Sequence, residues 1–128
     1  MTGSSCELHG VRIFLCSTEG PLLLSDRDAV DLMSAASEHR PKLIVIPVER
    51  LNEDFFNLRT RTAGEILQKF VTYGARVAIL GDISHRTAES DSLSAFVKEC
   101  NRGNSIWFAE NMDELADRLA TFTSGPES

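Results

Sequence analysis

The stretch Glu53–Asp82, EDFFNLRTRTAGEILQKFVTYGARVAILGD, constrains the fold more than any other part of the chain. A polar, arginine-bearing loop leads into a helical pattern, a glycine turn and a run of consecutive apolar residues. Ala63, Ile66, Leu67 and Phe70 recur at i, i+3, i+4 and i+7, which is one buried face of a helix. Thr62 and Glu65 have capping-box spacing, so Thr62 is expected to be the N-cap. Tyr73-Gly74 ends the pattern, with the glycine free to take a left-handed C-terminal cap. Val77 to Leu80 (VAIL) shows no polar alternation, the mark of a strand buried on both faces in a helix-covered sheet.

The same logic extends in both directions. Lys42 to Pro47 (KLIVIP) is a second doubly buried strand. Before it, Ser25 and Asp28 can open a helix whose inner face is Ala29, Leu32, Met33 and Ala36, and Pro41 stops that helix near Arg40. Val11 to Cys16 and Leu22 to Leu24 read as two short strands joined by a turn at Ser17 to Gly20, an opening hairpin with Pro21 at an edge position. After VAIL, Ser90 or Asp91 caps a helix with Leu93, Phe96, Val97 and Cys100 inward, and Asn101-Arg102-Gly103 is a turn. Ile106 to Phe108 is the last strand, and Asn111 with Glu114 caps a final helix carrying Met112, Leu115, Ala116 and Leu119. The expected fold is α/β, order ββαβαβαβα, a mixed central sheet covered by helices mainly on one face. Residues 11–120 form a single domain between a flexible start, 1–10, and a flexible tail, 121–128.

With 128 residues the chain fits one domain with a real core. Its net charge of −6 argues against a nucleic-acid surface. The three cysteines, Cys6, Cys16 and Cys100, have no metal-ligand or redox spacing, so reduced thiols and a cytoplasmic setting are expected. The first ten residues lack a basic start and an apolar stretch, and the apolar runs are too short for a membrane span. His9, His39 and His85 are scattered without zinc spacing, and neither nucleotide-binding glycine motif occurs. Asp82, Ser84 and His85 lie too close in sequence for a catalytic triad, which is built from separate elements. No catalytic set, metal site or cofactor is expected.

Lys42 to Asp82, with its strand, hydroxyl-bearing turn, helix and GARVAILGD strand, resembles the STAS-like fold of sulfate transporters and anti-sigma factor antagonists. Ile106 to Leu119 resembles the closing strand and helix of that fold. FFNLRTRTAGEILQKFVTYGARVAILGD and SLSAFVKECNRGNSIWF resemble recurring segments of a bacterial family, the domain of unknown function 4180. In anti-sigma factor antagonists the corresponding helix follows an Asp-Ser-Ser/Thr-Gly turn that is phosphorylated. This chain has Thr60, Thr62 and Gly64 there but lacks the aspartate and the serine, so Thr62 reads as a plain cap.

Two surfaces follow as functional candidates. Arg59, Thr60, Arg61 and Thr62 open the second helix near strand C-termini, where Asp82 and Ser84 also emerge. Helix amides and arginines together favour an anion there, and Arg102 could join them. The alternative is ordinary surface pairing of Arg59 and Arg61 with Glu49, Glu53 or Asp54. Glu65, Gln68 and Lys69 lie on the outer side of the same helix, the side that meets partner proteins in STAS-like domains. The first expectation is therefore a non-enzymatic cytoplasmic regulatory domain acting through protein–protein binding or self-association. The alternative is a domain, which could be an enzyme, that binds a small anionic molecule at the N-terminus of the second helix. Neither nucleic acid nor membrane is expected as a partner.

Overall fold

The computed structural model describes residues 3–123. Four parallel strands lie side by side in chain order, β2 (Val11–Cys16), β3 (Leu43–Pro47), β4 (Val77–Leu80) and β5 (Ile106–Ala109). A fifth strand, β1 (Gly3–Leu8), runs antiparallel to β2 at one edge. Their register stacks Ile44 beside Val77 and Val77 beside Ile106. The expected α/β class with a mixed sheet is what the chain forms, and the second and third parallel strands are the KLIVIP and VAIL runs. All five residues of β3 are buried, as a strand between two others and two covered faces must be.

The opening hairpin is real but uses other residues. Val11–Cys16 pairs with Gly3–Leu8, not with Leu22–Leu24. The connection is His9-Gly10, with φ of 51° and 80°. Positive φ at both central residues is the type I′ geometry that matches strand twist in two-residue hairpins. The segment expected as a flexible start is thus an edge strand from Gly3 onward; residues 1–2 lie outside the described residues. Leu22 to Leu24 instead makes a single parallel bridge, Leu23 to Leu51. At the other end, α6 (Met112–Thr123) continues into the segment expected as a tail; residues 124–128 lie outside the described residues.

Right-handed crossovers between sequential parallel strands place every crossover helix on the same face. That face carries α1 (Asp26–Ala36), α3 (Thr62–Thr72) and α5 (Asp91–Arg102). Ala29, Ile66, Phe70 and Leu93 from these helices pack on Phe14, Ile44, Ile46 and Ile79. Side chains of alternate strand residues point the other way. There Val45, Ala78 and Trp107 meet Leu115 and Leu119 of α6. Two short helices, α2 (Glu53–Phe56) and α4 (Ser84–Glu89), were not anticipated. Among the described residues no helix is long and apolar enough to cross a membrane.

The helix ends follow local chemistry. Asp28 accepts from the Ser25 amide at 3.2 Å, the returning half of a capping box. Ser90 Oγ accepts from the Leu93 amide at 3.1 Å, and Asn111 Oδ1 from the Glu114 amide at 2.9 Å. After α3, the Ala75 amide reaches Phe70 O and the Gly74 amide reaches Val71 O, with Gly74 at φ 75°. That pair of bonds is the Schellman motif, and it needs the left-handed residue glycine supplies.

Gly81, just beyond β4, has φ 148° and its absent side chain leaves room for Val48: a Cβ would sit 2.5 Å from Val48 Cγ2. Both strain and overlap penalise any substitution. Gly81→Ala is therefore expected to lower unfolding free energy by about 2 kcal/mol or more. Gly64→Ala, in α3 with nothing within 4 Å of its Cβ position, should instead be neutral or stabilising by up to about 1 kcal/mol. Urea denaturation of the two variants checks the contrast, and equal effects would refute it.

Candidate functional site

The C-terminal ends of β2, β3, β4 and β5 place Cys16, Pro47, Leu80 and Ala109 along one edge of the sheet. On the α6 face of that edge a groove of about 650 Å³ opens. Its deeper wall is apolar: Leu15, Cys16, Pro47 and Leu80. Its outer wall is polar, with Ser4, Thr18, Glu49, Glu110 and Asn111 exposed. The groove exists because α6 packs along β4 and β5 and starts only at Met112, leaving the end of the sheet beside β2 and β3 open. Burial pushes the Cys16 thiol up to about 11, with Arg50 pulling only weakly the other way. Burial thus disfavours the thiolate, the form a nucleophilic cysteine needs.

Beneath the groove's Ser17 wall lies Arg50, whose side chain sequence reasoning missed. It is only 4% exposed, the one buried charged residue among those described. Its Nε donates to Pro21 O at 2.7 Å and its Nη1 to Ser17 O at 3.1 Å. Its own carbonyl accepts from the Leu23 amide at 2.8 Å. A Cβ on Gly20, which has φ 139°, would come within 3.3 Å of the guanidinium carbon. The connection from β2 to α1 is thus folded around one side chain. Val48-Glu49-Arg50 reads as a surface triplet, and no local pattern marks the arginine as buried.

Of the expected anion cluster, Arg59 and Arg61 line neither the groove nor the depression that holds Asp82 and Ser84. Arg59 and Arg61 are exposed, and neither has a side-chain partner among the described residues. Their anticipated surface partner Glu53 instead binds Arg86 through both carboxylate oxygens, at 2.7 and 2.9 Å. The Arg86 hydrogen bond holds the Glu53 carboxyl below its ordinary value. Arg86 also lies 4.4 Å over the Phe56 ring, joining α4 to α2. Asp82 accepts from the Ser84 amide at 2.9 Å, and that bond lowers its carboxyl's pKa. Asp82 and Ser84 border a smaller depression of about 220 Å³ that shares Gly81 and Glu110 with the groove.

Arg102 belongs to the opposite edge. It ends α5, which leads into the start of β5, and it pairs with Glu99 at 3.1 Å. The turn beside it is held by Arg118, which donates to Asn101 O and stacks 4.6 Å over Trp107. On α3, Glu65 and Gln68 are exposed as expected, with Gln68 bonded to Thr72. Lys69 is half-buried and tied to Asp26 of α1 at 3.7 Å.

The start of α3 differs from the capping-box expectation. The N-cap is Arg61, in the left-handed region at φ 63°, and Thr62 is the first helical residue. Thr60 does the work expected of Thr62. Its hydroxyl accepts from the Thr62 amide at 3.3 Å, lies 3.1 Å from the Thr62 hydroxyl, and has Asp54 O at 2.6 Å and Asn57 O at 2.8 Å as acceptors for its single proton.

The chain belongs to the DUF4180 family, a domain of unknown function, whose model matches residues 8–119. No curated protein and no solved structure matches it. The match runs from the end of β1 into α6, so the Arg50 core, the α3 turn and the groove apart from Gly3 and Ser4 of β1 lie within this DUF4180 domain.

Arg50 sets up a direct test. Arg50→Ala is expected to cost about 3 kcal/mol, because a buried side chain is removed and two part-buried charge-assisted bonds go with it. Arg50→Lys should recover little of this, since an ammonium cannot reproduce the fork that reaches both carbonyls. Full recovery by lysine in denaturant titrations would show that charge alone matters. The α3 turn gives a second test. Thr60→Ala should cost about 1 kcal/mol and Thr62→Ala less than about 0.5 kcal/mol. The reverse order in the same assay would restore Thr62 as the cap.

Proposed function

We propose that this domain acts by binding, not by turnover, and that the groove at the C-terminal edge of its parallel sheet takes a small organic molecule. The observation that carries the reading is the groove itself. Its size falls in the range of ordinary ligand sites, about 300–1,000 Å³, and an apolar wall with a few polar groups at the mouth is their usual composition. The neutral Cys16 thiol supports binding over covalent chemistry. In this reading the chain is a STAS-like cytoplasmic domain whose ligand tunes a regulatory contact.

A second reading, protein binding through the outer face of α3, draws support from Val71 and Tyr73. They are 42% and 61% exposed, on the same helix end as Gln68. Scattered exposed apolar residues are normal, so this support is the lesser.

Native mass spectrometry of the protein purified from its own host tests the choice. A co-purifying small molecule is expected, and it should be lost from a Thr18→Trp variant that fills the groove mouth. A bare chain, with a partner protein whose binding is lost on Tyr73→Ala, would replace the first reading with the second.

A further inference from the structure

Resting on the groove as a ligand site, we infer that it selects an organic cation, an amine carried on an apolar body. The charge at its mouth is uncompensated. Glu49 and Glu110 are both exposed, and neither carboxylate has a partner among the described residues. No lysine, arginine or histidine lines the groove or the depression that adjoins it through Gly81 and Glu110. That depression adds the carboxylates of Asp82 and Glu114.

Two features could have favoured an anion instead, and the structure disposes of both. The first is the N-terminus of α6, which opens toward the groove beside Asn111. It is already capped from within the chain: Asn111 Oδ1 accepts from the Glu114 amide at 2.9 Å, and Glu114 Oε1 turns back to accept from the Glu110 amide at 2.5 Å. Asp113 and Glu114 in the first turn also answer the helix dipole. The second is Arg50, the nearest buried cation. Its guanidinium is turned to Pro21 O and Ser17 O and does not line the groove.

An inorganic cation fits less well than an organic one. Among the described residues no three acidic, histidine or cysteine side chains converge on a metal position. Leu15, Pro47 and Leu80 offer an apolar surface that a bare ion would leave unused. An ammonium group at Glu49 or Glu110 with its hydrocarbon on that surface uses both walls. The overall charge of −6 adds long-range attraction for the same sign.

The test uses the full chain, labelled with nitrogen-15, and three probes of one shape: phenethylamine, 2-phenylethanol and 3-phenylpropionate. Amide shifts of Ser17, Thr18 and Gly81 report occupancy. The amine is expected to bind about three- to tenfold more tightly than the alcohol, and the carboxylate most weakly. A Glu49→Gln, Glu110→Gln variant, altered only at exposed positions, should erase the amine's advantage and keep alcohol binding. Added salt should shrink the same advantage. Equal binding of all three probes would overturn charge selection while leaving the groove as the site. Failure of every probe to move those amides would overturn the groove reading and, with it, this one.

Discussion

A buried guanidinium holding two backbone carbonyls is the constraint on which the rest of this edge depends. The connection from Ser17 to Leu24 has no strand partner beyond the Leu23–Leu51 bridge. Its carbonyls at Ser17 and Pro21 are only part-buried, but the guanidinium that meets them is buried and must be given acceptors there. Arg50 satisfies both from a rigid planar group, and its main chain takes up the Leu23 amide. One residue therefore fixes a loop that sheet formation leaves free. Ser17 and Thr18, which form part of the groove wall, inherit that order, so the groove is preorganised by a side chain that does not line it.

The position of the groove follows from topology. In doubly wound sheets the strand order reverses, and ligands settle in the crevice opened at that switch point. Here the order is β1-β2-β3-β4-β5 without reversal, and that crevice is absent. Three crossover helices cover one face, whereas the other receives α6 after β5. The shortfall of helical cover leaves the β2 and β3 ends of the second face open. Leu15, Pro47 and Leu80 reach that opening because odd and even strand residues alternate between faces. An asymmetry of helix number thus becomes a concavity.

Much of this was legible in the residues. KLIVIP and VAIL declare interior strands because continuous apolar runs have nowhere else to go, and Gly74, Ser90 and Asn111 mark helix ends through local hydrogen bonds. What escaped was non-local or hidden by composition. GSSCEL is a strand with no apolar alternation, since an edge strand is held by main-chain bonds to β2, and its signal was the His9-Gly10 turn. Leu22–Leu24 has strand composition but serves to anchor a loop. Thr62 has the capping-box spacing, yet Arg61 takes the left-handed conformation and moves the cap one residue earlier. Arg50 gave no local sign at all. Arg102 could have been placed correctly from order alone: a helix that precedes a parallel strand ends at that strand's N-terminal edge, away from the crevice side.

The distribution of charge separates scaffold from site. Where two elements must hold a fixed relation, the charges are paired or stacked: Arg86 with Glu53 over Phe56, Lys69 with Asp26, Arg118 over Trp107. Two groups of opposite sign without an ion-pair partner among the described residues matter here, Glu49 and Glu110 at the groove and Arg59 and Arg61 at the α3 turn. They differ in what lies beside them. The arginines are exposed and line neither the groove nor the depression beside it, so an anion there would stay hydrated and be screened at physiological salt. The carboxylates border an apolar wall, where a cation's hydrocarbon can leave water as its charge is met. Binding strength grows from desolvated area, and charge decides which molecule may use that area. By that reasoning the proposed acidic groove suits a ligand better than the basic turn, even though the turn carries the more conspicuous sequence.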